Sequence, residues 1–403
     1  MNCRSCGTNI TRSIFSFGKV PLANQLLKPE QLHEEEARHN LEIMLCEACG
    51  LVQLKDIIDP GALFSEYLYF SSNSATMLES VSNLVDKISN TLPKTAKIVE
   101  IASNDGYLLQ YYQQKGFDVL GVEPAKNIAA HANAKGIPTR CEFFTGHFAD
   151  KLKEESLQAD IIHANNVMAH VPDINDFALG IQKLLAPQGM AIIEVPYLLN
   201  LINNVQFDTI YHEHVYYFSL LPLRSLFERH NLTIFDVEKI PVHGGSLRLY
   251  VGHKDQHHIS QAVSDMYDTE CELKVQEYSY YKEFANNISR LKTALCNQLE
   301  LIKKQNKRIA AYGASAKGTT LLNYFEIGEG LIDFVVDISP FKHGYHTPGT
   351  HLKINPVEYL SKEKIDYTLL LTWNFLEEIL NQQEEYRVNG GKFIIPIPEV
   401  LVV

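Results

Sequence analysis

The sequence lacks the features that would place the protein at a membrane or on a nucleic acid. No uninterrupted apolar run approaches the roughly 20 residues that a helix needs to cross a bilayer. Acidic residues outnumber basic ones by 48 to 36, so no basic surplus exists to replace the counterions of phosphates. The first residues hold no apolar stretch typical of a secretory signal. We therefore expect a cytoplasmic protein that binds neither membrane nor nucleic acid.

The seven cysteines are distributed unevenly along the chain. Four of them form two Cys-x-x-Cys pairs, Cys3 with Cys6 and Cys46 with Cys49, and each pair is followed by a glycine. In a reducing compartment two such pairs predict one tetrahedral zinc ion with four thiolate ligands. A redox pair or a chance spacing is the alternative interpretation. We expect this zinc to be structural and remote from the chemistry.

The loop after the first predicted strand lacks the three glycines of an NAD fingerprint. It has only Gly106, and it carries acids: Glu100 in the preceding strand and Asp105 in the turn. A second apolar strand ends in Glu123, about 20 residues downstream, where a βαβ unit places a carboxylate to bind ribose hydroxyls. This pattern favours S-adenosylmethionine (SAM), which offers a cationic amino acid and a sulfonium instead of a pyrophosphate. A Rossmann-like unit that binds another ligand is the alternative.

We predict which residues of this unit contact SAM. Glu123 is expected to bind the ribose, Asp105 to line the methionine end, and Asn165 to border the sulfur. The complete predicted set is Glu100, Ala102, Asn104, Asp105, Gly106, Glu123, Pro124 and Asn165.

The densest group of chemically useful side chains lies at 211–217, with two histidines, a glutamate and three tyrosines. The spacing His212-Glu-His214 does not match the His-Glu-x-x-His motif of metalloproteases. In an extended segment Tyr211 and Glu213 would share one face and the two histidines the other, whereas a turn could bring them together. Either arrangement supplies a base that titrates near neutrality and a carboxylate to orient it. A solvated polar loop is the alternative.

Three other segments carry candidate functional residues. His170 follows the third predicted strand, at the sheet edge where open α/β folds bind ligands, although a structural histidine is equally expected there. The segment 241–248 combines glycines, which allow a close approach of the backbone, with hydroxyl and guanidinium donors that could bind a ligand. A plain turn between two strands is the alternative interpretation. The loop 313–318 contains Ser315 and Lys317 at a strand-to-helix turn, which could cradle a diphosphate. Taken alone this last signal is weak.

Together these motifs resemble, nearly end to end, the SAM-dependent C-methyltransferases that act on nucleotide-linked deoxysugars. The ordered matches include Gly-Lys-Val-Pro-Leu-Ala-Asn at 18–24, Glu-Ile-Ala-Ser-Asn-Asp-Gly at 100–106, Tyr-His-Glu-His at 211–214, His-Gly-Gly-Ser-Leu-Arg at 243–248 and Gly-Ala-Ser-Ala-Lys-Gly at 313–318. One departure is Ala102, where the family pattern leads us to expect glycine. Alanine should fit there if its φ is negative.

The resemblance implies an α/β protein of three domains. We predict a zinc-binding domain over 1–70, a Rossmann-like SAM methyltransferase domain over 71–253, and a Rossmann-like domain over 254–403 that contributes to nucleotide-sugar binding. The length of 403 residues and the alternation of predicted strands and helices agree with this division. We expect a monomer.

The resemblance also implies the reaction: methyl transfer from SAM to C3 of a dTDP-linked 4-keto-6-deoxysugar, with C5 left open. Saturated carbon is not nucleophilic, so a base must first form an enolate. The expected catalytic residues are His214 as the base, Glu213 holding its tautomer, and Tyr211 or His170 as the oxyanion donor; a tyrosinate base is also conceivable. The expected substrate ligands are Tyr67, Tyr69, Ser72, His243, Ser246, Arg248, Ser315 and Lys317. An NAD-dependent nucleotide-sugar enzyme and a non-catalytic zinc protein are the alternative classes.

Overall fold

The structure is a computed structural model that describes residues 1–59, 61, 63 and 70–403, with only the backbone of His243. The strands are β1 (Arg12–Pro21), β2 (Arg38–Leu45), β3 (Val52–Leu54), β4 (Lys97–Ile101), β5 (Asp118–Val122), β6 (Thr139–Arg140), β7 (Ala159–Asn165), β8 (Leu185–Pro196), β9 (Tyr216–Tyr217), β10 (Leu232–Ile240), β11 (Ser246–His253), β12 (Ile309–Tyr312), β13 (Val335–Val336), β14 (Ile354–Asn355), β15 (Tyr367–Leu370), β16 (Lys392–Ile395) and β17 (Leu401–Val402). The α-helices are α1 (Ala75–Ser89), α2 (Leu109–Gln114), α3 (Lys126–Ala134), α4 (Gly146–Glu154), α5 (Ile174–Leu184), α6 (Leu198–Asn203), α7 (Leu220–Arg229), α8 (Gln261–Glu272), α9 (Phe284–Lys304), α10 (Ala316–Phe325), α11 (Tyr359–Lys362), α12 (Leu376–Gln382) and α13 (Glu384–Val388).

The central sheet has the order β10-β11-β8-β7-β4-β5-β6 within the described residues. Strands β4 to β8 run parallel, and β11 is antiparallel to both of its neighbours. Helix α1 begins at Ala75 because the Ser74 side chain accepts a hydrogen bond from the amide of Met77. Met77, Val81 and Leu84 form its buried face, as their helical spacing predicts. The predicted α/β fold is therefore confirmed.

Two further sheets are formed mainly by strands from the N-terminal and the C-terminal part of the chain. The N-terminal sheet has the order β1-β2-β3-β9 and is antiparallel, so it takes its last strand from a segment far downstream in the chain. The C-terminal sheet has the order β14-β13-β12-β15-β16-β17 and is parallel except for β17. Helices α8 and α9 precede it within 254–306, where the polar composition is typical of connecting helices.

Two segments differ from what their local sequence suggests. The Pro-Gln-Gly sequence at 187–189 is typical of a turn, but it lies inside β8, where the pairing with β7 shifts between Ala159 and Ile161, so the extra residues form an irregularity in a continuous strand. The largely apolar sequence at 332–336 is typical of a strand, but the strand there is only Val335–Val336. Among the described residues, no helix has the length and apolar content that a bilayer crossing requires.

Candidate active site

The four paired cysteines converge. Their sulfur atoms all lie within 4.8 Å of one another, with Sγ–Sγ distances of 3.7 Å between Cys3 and Cys49 and 3.6 Å between Cys6 and Cys46. A zinc ion 2.3 Å from each of four tetrahedral sulfurs separates them by about 3.8 Å, whereas a disulfide needs about 2 Å. The donor set therefore fits tetrahedral zinc, and the protein binds zinc there.

Each cysteine pair forms the same compact turn. The amide of Gly7 donates to the carbonyl of Cys3 at 2.9 Å, and the amide of Gly50 donates to that of Cys46 at 2.7 Å. Both glycines have positive φ, 76° and 79°, which the chain needs to turn back so tightly after the second sulfur.

The zinc cluster and the predicted catalytic segment are connected through one sheet, while the predicted distance of the zinc from the chemistry stays a prediction. Gln53 donates to the sulfur of Cys3 at 3.3 Å and pairs with Tyr216 of β9 in the sheet. The amide of Leu54 donates to the carbonyl of Val215 at 2.8 Å. The segment that follows His214 is thus a strand of the zinc-bound sheet.

The predicted SAM ligands gather at the carboxyl ends of β4, β5 and β7. Glu123 is buried, and its carboxylate accepts hydrogen bonds from the amides of Asn104 and Ala125 at 3.0 and 2.9 Å. Asp105 accepts from Lys135 at 2.9 Å. Gly106 has a φ of 78°, and a Cβ there would come within 2.9 Å of the Ile137 side chain, so only glycine fits this loop.

Several buried polar atoms at this edge have no hydrogen-bond partner among the described residues. They include both carboxylate oxygens of Glu100, Oδ1 of Asp105 and both amide atoms of Asn165. Burial and the nearby acids Asp105 and Glu123 hold the pKa of Glu100 well above its usual range. A nearby cation favours the ionised form of such a buried acid, and SAM brings an ammonium and a sulfonium. The residues present therefore fit SAM.

Ala102 does not meet the condition under which alanine fits without strain. Its φ is 53°, in the left-handed region that favours glycine. Its backbone therefore adopts the conformation that the family's glycine would take more easily.

Replacing Ala102 with glycine should raise the free energy of unfolding by up to about 1 kcal/mol, because relief of the left-handed strain exceeds the entropy that glycine adds to the unfolded chain. Chemical denaturation would measure this. Ala130, exposed in α3, is the matched control, since glycine there should lower the free energy of unfolding by about 1 kcal/mol. Equal losses in both variants would contradict the expected strain.

The segment before α1 closes over the cofactor loop. Ser72 donates to Asp105, and the amide of Ser71 donates to the side chain of Asn104 at 2.9 Å. Ser72, predicted as a substrate ligand, thus bonds to a predicted SAM residue, and its role toward the substrate stays a prediction. The predicted substrate ligands Tyr67 and Tyr69 lie outside the described residues.

The side chains of Tyr211 and His214 form a hydrogen-bonded pair. A turn closed by the amide of His214 and the carbonyl of Tyr211, at 3.0 Å, brings their rings to a centroid distance of 4.0 Å. Nδ1 of His214 lies 2.8 Å from the carbonyl of Thr209 and therefore donates to it, which makes Nε2 the acceptor. The hydroxyl of Tyr211 donates to that Nε2 at 2.8 Å.

Glu213 does not hold the tautomer of His214; the carbonyl of Thr209 does, and this corrects the predicted role. The buried carboxyl of Glu213 instead accepts from the side chain of Asn24 at 2.7 Å. Burial raises the pKa of Glu213 to about 7, partly opposed by Asn24. His212 points elsewhere, with Nε2 3.3 Å from the carbonyl of His39.

His170, which follows β7, lies beside the pair. Its ring centroid is 4.8 Å from that of His214. Burial lowers the pKa of His170 to about 4, so its imidazole is neutral at pH 7 and can donate a proton in a hydrogen bond. The structure thus brings together Tyr211, His214 and His170.

Two predicted substrate ligands are committed to partners within the fold. Arg248 is buried and bonds to Glu194 at 2.7 Å and Glu238 at 3.4 Å. These carboxylates already compensate its charge, so the structure assigns Arg248 to the sheet rather than to an anionic ligand. Ser246 donates to the carbonyl of Val242 at 3.0 Å. The role of His243 stays a prediction.

The loop between β12 and α10 takes the predicted form. Ser315 caps the helix by accepting from the amide of Gly318 at 3.1 Å. Lys317, in the first turn, lies 4.8 Å from the Trp373 ring and donates to Asn374 at 3.2 Å. Burial lowers the pKa of Lys317, partly opposed by Asp208, and the role of this loop in binding a diphosphate stays a prediction.

Sequence reasoning missed the partners that hold these side chains. The carbonyl of Thr209 cannot be identified from residue type because every residue carries one. Asn24 ends the motif at 18–24, which was noticed only as part of the resemblance. Trp373, the only tryptophan of the chain, was not considered.

The sheet order, the acidic loop and the buried Glu100, whose carboxylate has no hydrogen-bond partner among the described residues, define a SAM-dependent methyltransferase. Three family models match consecutive parts of the chain: "Putative zinc binding domain" over 3–64, "Methyltransferase domain" over 74–237 and "C-methyltransferase C-terminal domain" over 241–398. C-methyltransferase NovU of Streptomyces niveus is 36% identical over 404 residues, which cover 100% of this chain and 96% of that protein. The chain belongs to this C-methyltransferase family.

Two other similarities cover only parts of the chain. A ubiquinone biosynthesis O-methyltransferase of Rhizobium etli (strain CIAT 652) is 29% identical over 101 residues, 24% of this chain and 40% of that protein. The crystal structure of magnesium protoporphyrin IX methyltransferase from Synechocystis PCC 6803 with bound SAM covers 44% of this chain and 79% of its own, at 12% identity and a TM-score of 0.34.

Replacing Glu123 with alanine should weaken SAM binding by about 1–3 kcal/mol, the range for a lost hydrogen bond to a charged group. The carboxylate is expected to bind the ribose while it holds the amides of Asn104 and Ala125. Calorimetry measures the affinity. Alanine at the exposed Glu142 is the control for the loss of one negative charge. Unchanged affinity at Glu123 would mean that the acid does not bind the cofactor.

Proposed function

We propose that this C-methyltransferase methylates C3 of a nucleotide-diphosphate-linked 4-keto-6-deoxyhexose, with dTDP as the nucleotide. The observation that carries the proposal is the bonded pair of Tyr211 and His214, with His170 beside it, close to the sheet edge that binds SAM. A C-methyltransferase needs a carbon nucleophile, and the carbon next to a ketone becomes one when a base removes its proton. Bound SAM supplies an electrophilic methyl group.

The proton leaves the sugar carbon through this pair. The oxygen of Tyr211 takes the carbon-bound proton while its own proton passes to Nε2 of His214. The carbonyl of Thr209 stabilises the resulting imidazolium by accepting the hydrogen bond of Nδ1. His214 is thus the final base, and Tyr211 relays the proton to it.

His170 stabilises the enolate. Its lowered pKa keeps the imidazole neutral at pH 7. The ring therefore donates a hydrogen bond to the developing oxyanion at C4 as an uncharged donor. Lys317 and the N-terminus of α10 bind the diphosphate, which holds the sugar in line with the methyl group.

Incubating the enzyme and SAM with a panel of nucleotide-linked 4-keto sugars tests this function. Mass spectrometry of the products should show one added methyl group on a 4-keto-6-deoxy substrate, and NMR should place it on C3. When SAM is omitted and the solvent is deuterated water, the enzyme should still exchange the sugar's α-proton for deuterium. Methylation on oxygen, on C5 or of a sugar without the ketone would contradict the proposal.

A further inference from the structure

A buried contact joins the catalytic segment to the C-terminal domain. Asp208 is fully buried, and its Oδ2 accepts a hydrogen bond from Nε1 of Trp373 at 2.7 Å. We name this contact the Asp208–Trp373 latch. Trp373 follows β15, whereas Asp208 lies in the short 3-10 helix Phe207–Thr209 just before Tyr211.

The surroundings of the latch are built to keep it closed. Lys317 lies over the Trp373 ring and attracts Asp208 electrostatically. On the other side Gly244 has a φ of 88°, and a Cβ there would come within 2.9 Å of the indole. The carbonyl of Gly244 accepts from Gln206 at 2.8 Å, which ties the same short helix to the segment 241–248.

The residue next to Asp208 in the chain holds the catalytic histidine. The carbonyl of Thr209 accepts the hydrogen bond of His214 Nδ1 and thereby decides which ring nitrogen is basic. Phe207, on the other side of Asp208, stacks on Phe325 of α10 at 4.8 Å. The C-terminal domain therefore contacts Asp208 through Trp373 and contacts Phe207, the residue before it, through Phe325.

We propose that Asp208 and Trp373 are positioning residues that hold the carbonyl of Thr209 against His214, so that the C-terminal domain sets the orientation and tautomer of the catalytic histidine. This inference rests on the proposed role of His214. It gives the latch a part in the reaction although neither side chain touches the sugar carbon. A misplacement of about 1 Å at a catalytic group can cost 10²-fold in rate.

Three variants separate the hydrogen bond from its surroundings. Trp373→Phe keeps a ring beside Lys317 and removes the donor, and Asp208→Ala removes the acceptor. Asp208→Asn is the matched control, because an amide oxygen still accepts from the indole. We expect the first two to lower kcat by about 10- to 100-fold with KM for the sugar within about threefold, and Asp208→Asn to stay within about threefold of the wild type.

NMR of nitrogen-labelled histidine supplies a readout independent of activity. In the wild type and in Asp208→Asn, His214 should carry its proton on Nδ1, whereas Trp373→Phe should show a mixture of tautomers. Unchanged kcat, or a lowered kcat with an unchanged tautomer, would overturn the positioning role. The proposed function would fail separately if the wild type showed no exchange of the sugar's α-proton. In that case the tautomer measurement would still show whether the Asp208–Trp373 latch positions His214.

Discussion

Replacing His214 with asparagine should lower both methyl transfer and exchange of the sugar's α-proton by about 10²–10⁴-fold, the range for loss of a general base. Asparagine cannot accept the proton that Tyr211 passes on. SAM affinity should stay near that of the wild type, because the cofactor loop at 102–106 makes its hydrogen bonds to other residues. Mass spectrometry measures methyl transfer and the incorporation of deuterium into the sugar. Calorimetry measures the affinity for SAM.

The neighbouring histidine provides the matched control. His212 bonds to the carbonyl of His39 rather than to Tyr211, so His212→Asn should retain exchange. Tyr211→Phe should lose exchange together with His214→Asn, because the proton moves through the tyrosine oxygen. If His214→Asn keeps near-normal exchange and turnover, the base is a different residue, and Tyr211 or His170 becomes the first candidate.

Removing a zinc ligand should abolish methyl transfer while SAM still binds. Structural zinc contributes roughly 10–16 kcal/mol of apparent binding free energy in small modules, so Cys46→Ser should empty the site and unfold the N-terminal sheet. That sheet includes β9, which begins two residues after His214, so the catalytic pair should lose its support. Elemental analysis, methyl transfer and calorimetry with SAM are the measurements.

Serine at Cys141 is the control, because this cysteine is exposed and lies outside the sulfur cluster. That variant should keep one zinc per chain and full activity. A wild-type protein with well under one zinc per chain after chelator-free purification would contradict the metal assignment. Retained turnover in a zinc-free Cys46→Ser protein would contradict the structural coupling between the zinc and His214.

Local patterns in the sequence determined most of the secondary structure, the zinc ligands and the cofactor loop. The two Cys-x-x-Cys pairs predict a tetrahedral set of four sulfurs, because each turn presents two sulfurs to one metal. Likewise, a parallel βαβ unit places the acid at the end of its second strand near the first loop, and Glu123 does bond there to Asn104. These relations span short stretches of chain, so spacing alone predicts them.

Only the tertiary structure decided how the active-site residues are held. The predicted role of Glu213 was wrong because a backbone carbonyl, that of Thr209, holds His214, and no residue type signals such a contact. Arg248 looked free to bind an anion until Glu194 and Glu238 were found beside it. The zinc-bound sheet takes β9 from the catalytic segment, which no local pattern indicates. Such contacts join residues far apart in the sequence, and only the packing of the three domains brings them together.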